Sequence, residues 1–330
     1  MPAPDINVTA APVVIVGGGF GGLYTALALA GRKGHPPILL IEPQSQFLFL
    51  PLLFELLSQE VRRWEIAPRY DTLLAGKGVA WLQDRVSSID CQTRTVLTEA
   101  GQTLSYSRLV LATGARTNSF GIPGVEAHTL GFRSLQDVER LQRLISELKL
   151  RRRPLQRLAV VGAGATGVEL ACKLADCLEG AAVVELVEQG STLLPNAKAF
   201  NREQAQRALQ RKDVRLRCRS QVMAVSAHQL ELQGPQGQEQ LAVDGVIWTA
   251  GLRFAAPPIL PSPATDSRGR LRCGADLQLI NQPGVFALGD IAQIATSEPL
   301  PITAQVAFQQ AECLASNLMH SLADRKSTRL

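Results

Sequence analysis

Val13-Val14-Ile15-Val16-Gly17-Gly18-Gly19-Phe20-Gly21-Gly22 decides the fold, because the chain repeats it in kind as Leu158-Ala159-Val160-Val161-Gly162-Ala163-Gly164-Ala165-Thr166-Gly167. Each stretch is an apolar strand, then G-x-G-x-x-G, then a helix-forming run. The first glycine (Gly17, Gly162) permits the tight turn. The second (Gly19, Gly164) lets a pyrophosphate approach the backbone, and the third (Gly22, Gly167) lets helix pack closely on strand. The helix start then offers free N–H groups to phosphate. Downstream, Ile38-Leu39-Leu40-Ile41 ends in Glu42, 20 residues past the third glycine, and Val183 to Val187 ends in Glu188, 21 residues past its own. An acid at that distance, on the tip of the second strand, accepts ribose hydroxyls. Two such sites predict two dinucleotides, and two dinucleotides in one chain point to electron transfer between them.

The repeat extends beyond the glycines. After Glu42 the sequence predicts short strands at Val79 to Arg85, Val86 to Asp90, Thr95 to Thr98 and Gln102 to Ser105, ending in Leu109-Val110-Leu111-Ala112-Thr113-Gly114-Ala115. After Glu188 it predicts a helix at Asn201 to Lys212 and strands at Val214 to Cys218, Gln221 to Ser226, Leu230 to Leu232 and Gln240 to Ala242, ending in Val246-Ile247-Trp248-Thr249-Ala250-Gly251. The glycine motifs lie 145 residues apart and the closing turns 137 apart, a period of duplicated domains rather than of a solenoid. The expected class is α/β, with two Rossmann-like domains that each carry a small antiparallel meander.

Composition sets the outer limits. The chain has 330 residues, 46% hydrophobic and 19% charged, with a formal charge of +5. That is a globular chain of two ordinary domains. No apolar run reaches the ~18 residues of a membrane span, and no secretory signal opens the chain. The basic residues are scattered, which argues against nucleic acid. The densest run, Lys149-Leu150-Arg151-Arg152-Arg153-Pro154, reads as the solvated end of a helix from Leu135 to Leu150, favoured by the macrodipole. The six cysteines contain no C-x-x-C. Cys172 and Cys177 fall about 140° apart around one predicted helix, so reduced thiols are expected. His35, His128, His228 and His320 have no metal-ligand spacing, and no metal site is expected. The final residues, Asp324-Arg325-Lys326-Ser327-Thr328-Arg329-Leu330, resemble a translated sequencing adapter and are read as a non-native tail, with the natural chain continuing past Ala323.

With these residues in view, the layout resembles the flavoproteins that carry two dinucleotide-binding domains. The resemblance implies FAD on the first Rossmann unit and NAD(P)H on an inserted second one. A late strand then returns to the FAD domain with a ribitol-binding Asp, matched here by Gly284-Val285-Phe286-Ala287-Leu288-Gly289-Asp290. The implied boundaries are 1–122 with 253–323 for the FAD domain and 123–252 for the NAD(P)H domain. Within this superfamily, Phe49-Leu50-Pro51-Leu52-Leu53-Phe54-Glu55 and Leu300-Pro301-Ile302-Thr303-Ala304-Gln305 resemble type II (alternative) NAD(P)H:quinone oxidoreductases. Trp64-Glu65-Ile66-Ala67-Pro68-Arg69 resembles their chloroplast and cyanobacterial, demethylphylloquinone-reductase-like branch.

That resemblance implies an enzyme that passes hydride from NADH (or NADPH) to FAD and two electrons on to a plastoquinone- or naphthoquinone-type quinone, without pumping protons. It implies cofactor contacts from Pro51, Thr113, Gly114, Gly251, Asp290 and Ala304 beside the two glycine motifs and their acids. It gives Gln305 an amide contact to a quinone carbonyl and Glu169 a part in proton delivery. Thr303 is expected to cap a helix running to Leu322, whose positive end would favour reduced flavin. The family continues into amphipathic C-terminal helices that seat the enzyme on the cytoplasmic side of a thylakoid or plasma membrane. The expected partners are therefore a quinone, a membrane surface in the full-length form and a second copy as a homodimer, with this chain soluble on its own. Two other readings stay open: a soluble reductase of ferredoxin or rubredoxin, and a dinucleotide-binding paralogue without turnover.

Overall fold

The computed structural model describes residues 11–151, 153–296 and 299–323; the tail at 324–330, and Arg152 of the basic run, lie outside them. The chain divides into two units. The first comprises Met1–Leu48, Ala67–Arg116 and Arg253–Leu330, the second Phe49–Ile66 and Thr117–Leu252.

In the first unit, Val13–Val16 is the centre of a five-stranded parallel sheet. Arg108–Leu111 and then Val285–Ala287 lie on one side, Ile38–Ile41 and then Val79–Leu82 on the other. Val13, Val14, Ile15, Leu40, Leu109 and Val110 are fully buried. This explains why these strands read as unbroken apolar runs instead of alternating ones: both faces of a parallel sheet are covered. Each such side chain contributes about 1.5–3 kcal/mol on burial. The helices Phe20–Ala30 and Ala304–Leu322 pack against each other. Antiparallel strands Val86–Asp90, Thr95–Thr98 and Thr103–Ser105 form the small meander.

The second unit repeats the plan with four parallel strands. Arg157–Val161 lies between Val183–Val187 and Gly245–Trp248, and Arg215–Arg217 forms the edge beyond Val183–Val187. Its meander, Gln221–Ser226, Gln229–Gly234 and Gly237–Ala242, is antiparallel throughout. Val222, Val225, Leu230, Leu232 and Leu241 of that meander form one core with Ala159, Val161, Val187, Val246 and Trp248 of the sheet. The helix Leu135–Arg151 starts in a capping box: Asp137 N–H donates to Ser134 Oγ at 3.1 Å and Ser134 N–H donates back to Asp137 Oδ2 at 3.0 Å.

The expected α/β class is what the structure contains. One detail differs in both halves: Val79–Leu82 and Arg215–Arg217 are not meander strands but extend the parallel sheets. In each case a helical stretch precedes them, Tyr70–Leu73 or Ala199–Arg211. A strand that follows a helical crossover runs parallel to the one before it, whereas residue alternation carries no strand direction. A second feature was hidden in an apparently apolar strand. Glu185, at the middle of Val183–Val187, is fully buried. Arg217 Nε donates to its Oε2 at 2.8 Å, and Arg157 and Arg215 lie 3.5 and 3.6 Å from its Oε1.

Candidate functional site

The two glycine loops adopt the same geometry. Gly17 and Gly162 have φ of +99° and +102°, a region closed to most side chains. A Cβ built on Gly22 would sit 1.8 Å from the Gly17 carbonyl oxygen, and one built on Gly167 would sit 1.8 Å from that of Gly162. No residue with a side chain fits either place. The middle positions are the reverse: a Cβ on Gly19 or Gly164 would meet nothing within 4 Å. These are the open sides of the loops, where a pyrophosphate can lie against bare backbone. Gly19 and Gly164 are also the N-caps of Phe20–Ala30 and Ala165–Leu178, and neither helix start has a side-chain cap. The first-turn N–H groups, and the positive end of each dipole, are thus available to an anion.

Each acid is fixed by its own loop. Glu42 Oε2 accepts from Gly18 N–H at 2.7 Å and Oε1 from Gln44 N–H at 2.9 Å. Glu188 Oε2 accepts from Ala163 N–H at 2.8 Å and Oε1 from Gly190 N–H at 2.7 Å. A carboxylate has about four lone-pair positions, so each keeps acceptors for the two hydroxyls of a ribose. Thr113 and Gly114 follow the strand Arg108–Leu111, and Thr113 Cα would lie 3.2 Å from a Cβ on Gly17. Thr113 Oγ1 is buried and has no partner among the described residues. In the second unit Thr249 Oγ1 is satisfied, donating to the Val161 and Gly162 carbonyls at 2.8 and 3.1 Å. Gly251 has φ +69° and packs on Phe120, within its own unit.

The late part of the first unit forms a small cavity of about 40 Å³, with Asp290, Thr303 and Gln310 among its walls. Gly289, with φ +71°, turns the chain into Asp290, and its N–H donates to Gln310 Oε1 at 2.7 Å. Gln310 is 4% exposed on the helix Ala304–Leu322. The sequence reading missed it, since a lone glutamine on a helix carries no signal of burial. Thr303 is the N-cap as expected, its Oγ1 accepting from Val306 N–H at 3.2 Å. Ala304 begins the helix, and Gln305 is exposed in its first turn. These residues fit a flavin-bearing dinucleotide: an open phosphate loop, a fixed ribose acid, an orphaned buried hydroxyl and an acid at a glycine turn.

In the second unit Glu169 lies on Ala165–Leu178, one turn before Lys173. Partial burial first, and then the Glu55 carboxylate, push the Glu169 carboxyl above its ordinary range, while Lys173 opposes them. Glu55 belongs to the short helix Leu53–Leu57, and its Oε2 is buried without a partner among the described residues. Lys173 Nζ donates to Glu60 Oε1 at 2.7 Å and to Ser58 Oγ at 3.2 Å. Pro51 is exposed in the turn Leu50–Leu52 just before Glu55. Sequence reasoning singled out Glu169 and overlooked Glu55.

Comparison with known proteins bears on the whole of this arrangement. The pyridine nucleotide-disulphide oxidoreductase model matches residues 11–311. Demethylphylloquinone reductase NdbB of Synechocystis is 37% identical over 325 residues, covering 95% of this chain and 80% of that protein. The chain belongs to the type II NAD(P)H:quinone oxidoreductases. Another member of this family, the alternative NAD(P)H-ubiquinone oxidoreductase C1, chloroplastic/mitochondrial, of Arabidopsis thaliana, is 34% identical over 95% of this chain and 68% of its own length. NDH2 from Plasmodium falciparum has the same fold, with a TM-score of 0.85 over 97% of this chain and 86% of that one, at 18% identity. The resemblance to the type II NAD(P)H:quinone oxidoreductases is thereby borne out. Among the described residues, no helix is long and apolar enough to cross a membrane.

Proposed function

We propose that the first unit holds FAD and the second NADH, and that the chain reduces a naphthoquinone- or plastoquinone-type quinone at the periphery of a membrane. The observation that carries this is the duplicated cradle, joined in the first unit by the orphaned Thr113 hydroxyl and the Gly289-Asp290 turn. FAD, when bound, accepts hydride from NADH and passes electrons on to the quinone. The chain's own residues bind and orient. The loop N–H groups at Gly19 and Gly164 take the pyrophosphates, Glu42 and Glu188 the ribose hydroxyls, and Asp290 the ribitol. The start of Ala304–Leu322, capped by Thr303 and with no acid in its first turn, lays positive potential at the cavity beside Asp290. Ala304 and Gln305, at the start of that helix, would hold the flavin and the quinone, the Gln305 amide able to donate to a quinone carbonyl.

Quinone reduction consumes two protons with its two electrons. Glu169, held protonated to higher pH than an ordinary carboxyl, is suited to store one of them. The Glu188 carboxylate favours a 2′-hydroxyl and repels a 2′-phosphate, hence NADH over NADPH. The name of the Synechocystis relative supports a naphthoquinone acceptor. Anaerobic titration of the FAD-loaded protein with NADH, followed by a short-chain naphthoquinone, tests the reading. The expected result is stoichiometric bleaching of the flavin bands and their return on quinone addition. Flavin that NADH cannot bleach, or that only an iron–sulfur acceptor reoxidises, would refute it.

A further inference from the structure

The same three backbone and carboxylate acceptors hold each glycine loop to its acid, but different donors serve them. In the second unit all the donors are backbone. Ala163 N–H binds the Glu188 carboxylate, Leu194 N–H donates to the Ala163 carbonyl at 2.9 Å, and Ser220 N–H donates to the Glu188 carbonyl at 2.9 Å. In the first unit the latter two donors are aromatic side chains. Tyr70 Oη donates to the Gly18 carbonyl at 2.7 Å, and Trp81 Nε1 donates to the Glu42 carbonyl at 3.2 Å. The two rings touch, centroids 5.4 Å apart. With Gly18 N–H on the Glu42 carboxylate, the contacts close a circuit from loop to tyrosine to tryptophan to acid and back.

We propose that Tyr70 and Trp81 are positioning residues that clamp the glycine loop to Glu42 and so make the first cradle a retaining site for FAD. This rests on the assignment of FAD to the first unit. Tyr70 is 2% exposed, and burial first, then the Glu42 carboxylate, raise its hydroxyl far above the ordinary range. It therefore stays a donor at every working pH. The clamp also fixes the identity of residue 18. A Cβ on Gly18 would lie 2.4 Å from the Tyr70 hydroxyl, whereas the second loop carries alanine at the matching position, fully buried. A loop and an acid locked together present pyrophosphate and ribose contacts in one preset geometry. Binding then loses less ordering free energy, as suits a cofactor that stays through turnover. Backbone donors on the second loop hold a site whose ligand must leave each cycle.

The test is FAD affinity, measured by flavin fluorescence on deflavinated protein, together with NAD⁺ affinity in the same preparations. Tyr70→Phe keeps the ring and removes the donor, and Trp81→Phe removes the indole N–H. Each is expected to weaken FAD binding about five- to tenfold, the worth of one neutral hydrogen bond, and to speed flavin release. NAD⁺ affinity should stay within about twofold of wild type. Melting of the deflavinated protein serves as the folding control. Wild-type FAD affinity in both variants would overturn the clamp, and so would a parallel loss of NAD⁺ affinity. A wild-type protein that binds no FAD would instead refute the assignment of the first unit.

Discussion

The two glycine loops make the same steric demands at their first, middle and last glycines and differ at the second residue and in what stands behind it. Gly17 and Gly162 share a positive φ, and Gly22 and Gly167 share a closest contact of 1.8 Å for an added Cβ. Behind the first loop stand Tyr70 and Trp81; behind the second stand the amides of Leu194 and Ser220. Thr113 leaves its hydroxyl unpartnered among the described residues, while Thr249 spends its own on the loop. The difference teaches that a dinucleotide cradle has an invariant steric part and an adjustable supporting part. The steric part admits a pyrophosphate. Under the proposed clamp, the supporting part sets how rigidly the loop and acid are held, and so the residence of the ligand.

The largest asymmetry should appear at the second residue of each loop. Gly18→Ala drives a methyl into the Tyr70 hydroxyl, and such overpacking costs about 1–3 kcal/mol. Its FAD affinity and thermal midpoint should both fall. Ala163→Gly removes a buried methyl and loosens the unfolded chain, together about 1–2 kcal/mol, and should leave FAD affinity untouched. Differential scanning calorimetry and FAD stoichiometry of the two variants decide the point; equal effects would erase the proposed distinction between the loops.

A smaller effect is expected at the second acid. Glu188→Gln keeps the side-chain shape, removes the charge that repels a 2′-phosphate, and exchanges one of the two oxygens that accept from Ala163 and Gly190 N–H for an NH2 donor. The ratio of kcat/KM for NADH over NADPH should shrink several-fold, mainly through KM for NADPH. An unchanged ratio would mean that discrimination lies elsewhere in the second unit.

The smallest effect concerns Glu55. It is a secondary cause, after burial, of the raised Glu169 carboxyl. Removing its charge by Glu55→Gln lowers the Glu169 pKa, so Glu169 loses its proton at lower pH. The alkaline limb of quinone reduction that depends on protonated Glu169 should then move to lower pH. A limb that stays in place, or moves upward, would detach Glu169 from proton supply.

How much of this the sequence showed follows from the range of each constraint. The glycines were legible because their demands are local: a turn, a close contact and an open face within six residues. Glu42 and Glu188 were legible because strand, helix and strand fix their distance from the loop. The clamp was not. Tyr70 and Trp81 come from 52 and 39 residues away from the groups they bind, on segments with no periodicity that announces a partner. Gln310 reaches back 21 residues to Gly289. Glu185 lay unremarked among valines, since its three arginines converge only once the strand order is known. Val79–Leu82 was read as a meander strand because its direction depends on the crossover before it, not on its own residues.

The central claim is that one steric cradle is used twice, first for FAD and second for NADH. The absorbance spectrum of purified Gly19→Val and Gly164→Val, before and after anaerobic NADH, tests it most directly. Both positions have room for a side chain in the folded protein, so each variant should fold and block only its own pyrophosphate. The account predicts colourless Gly19→Val protein and yellow Gly164→Val protein that NADH fails to bleach. A yellow Gly19→Val protein, or a colourless Gly164→Val one, would contradict it.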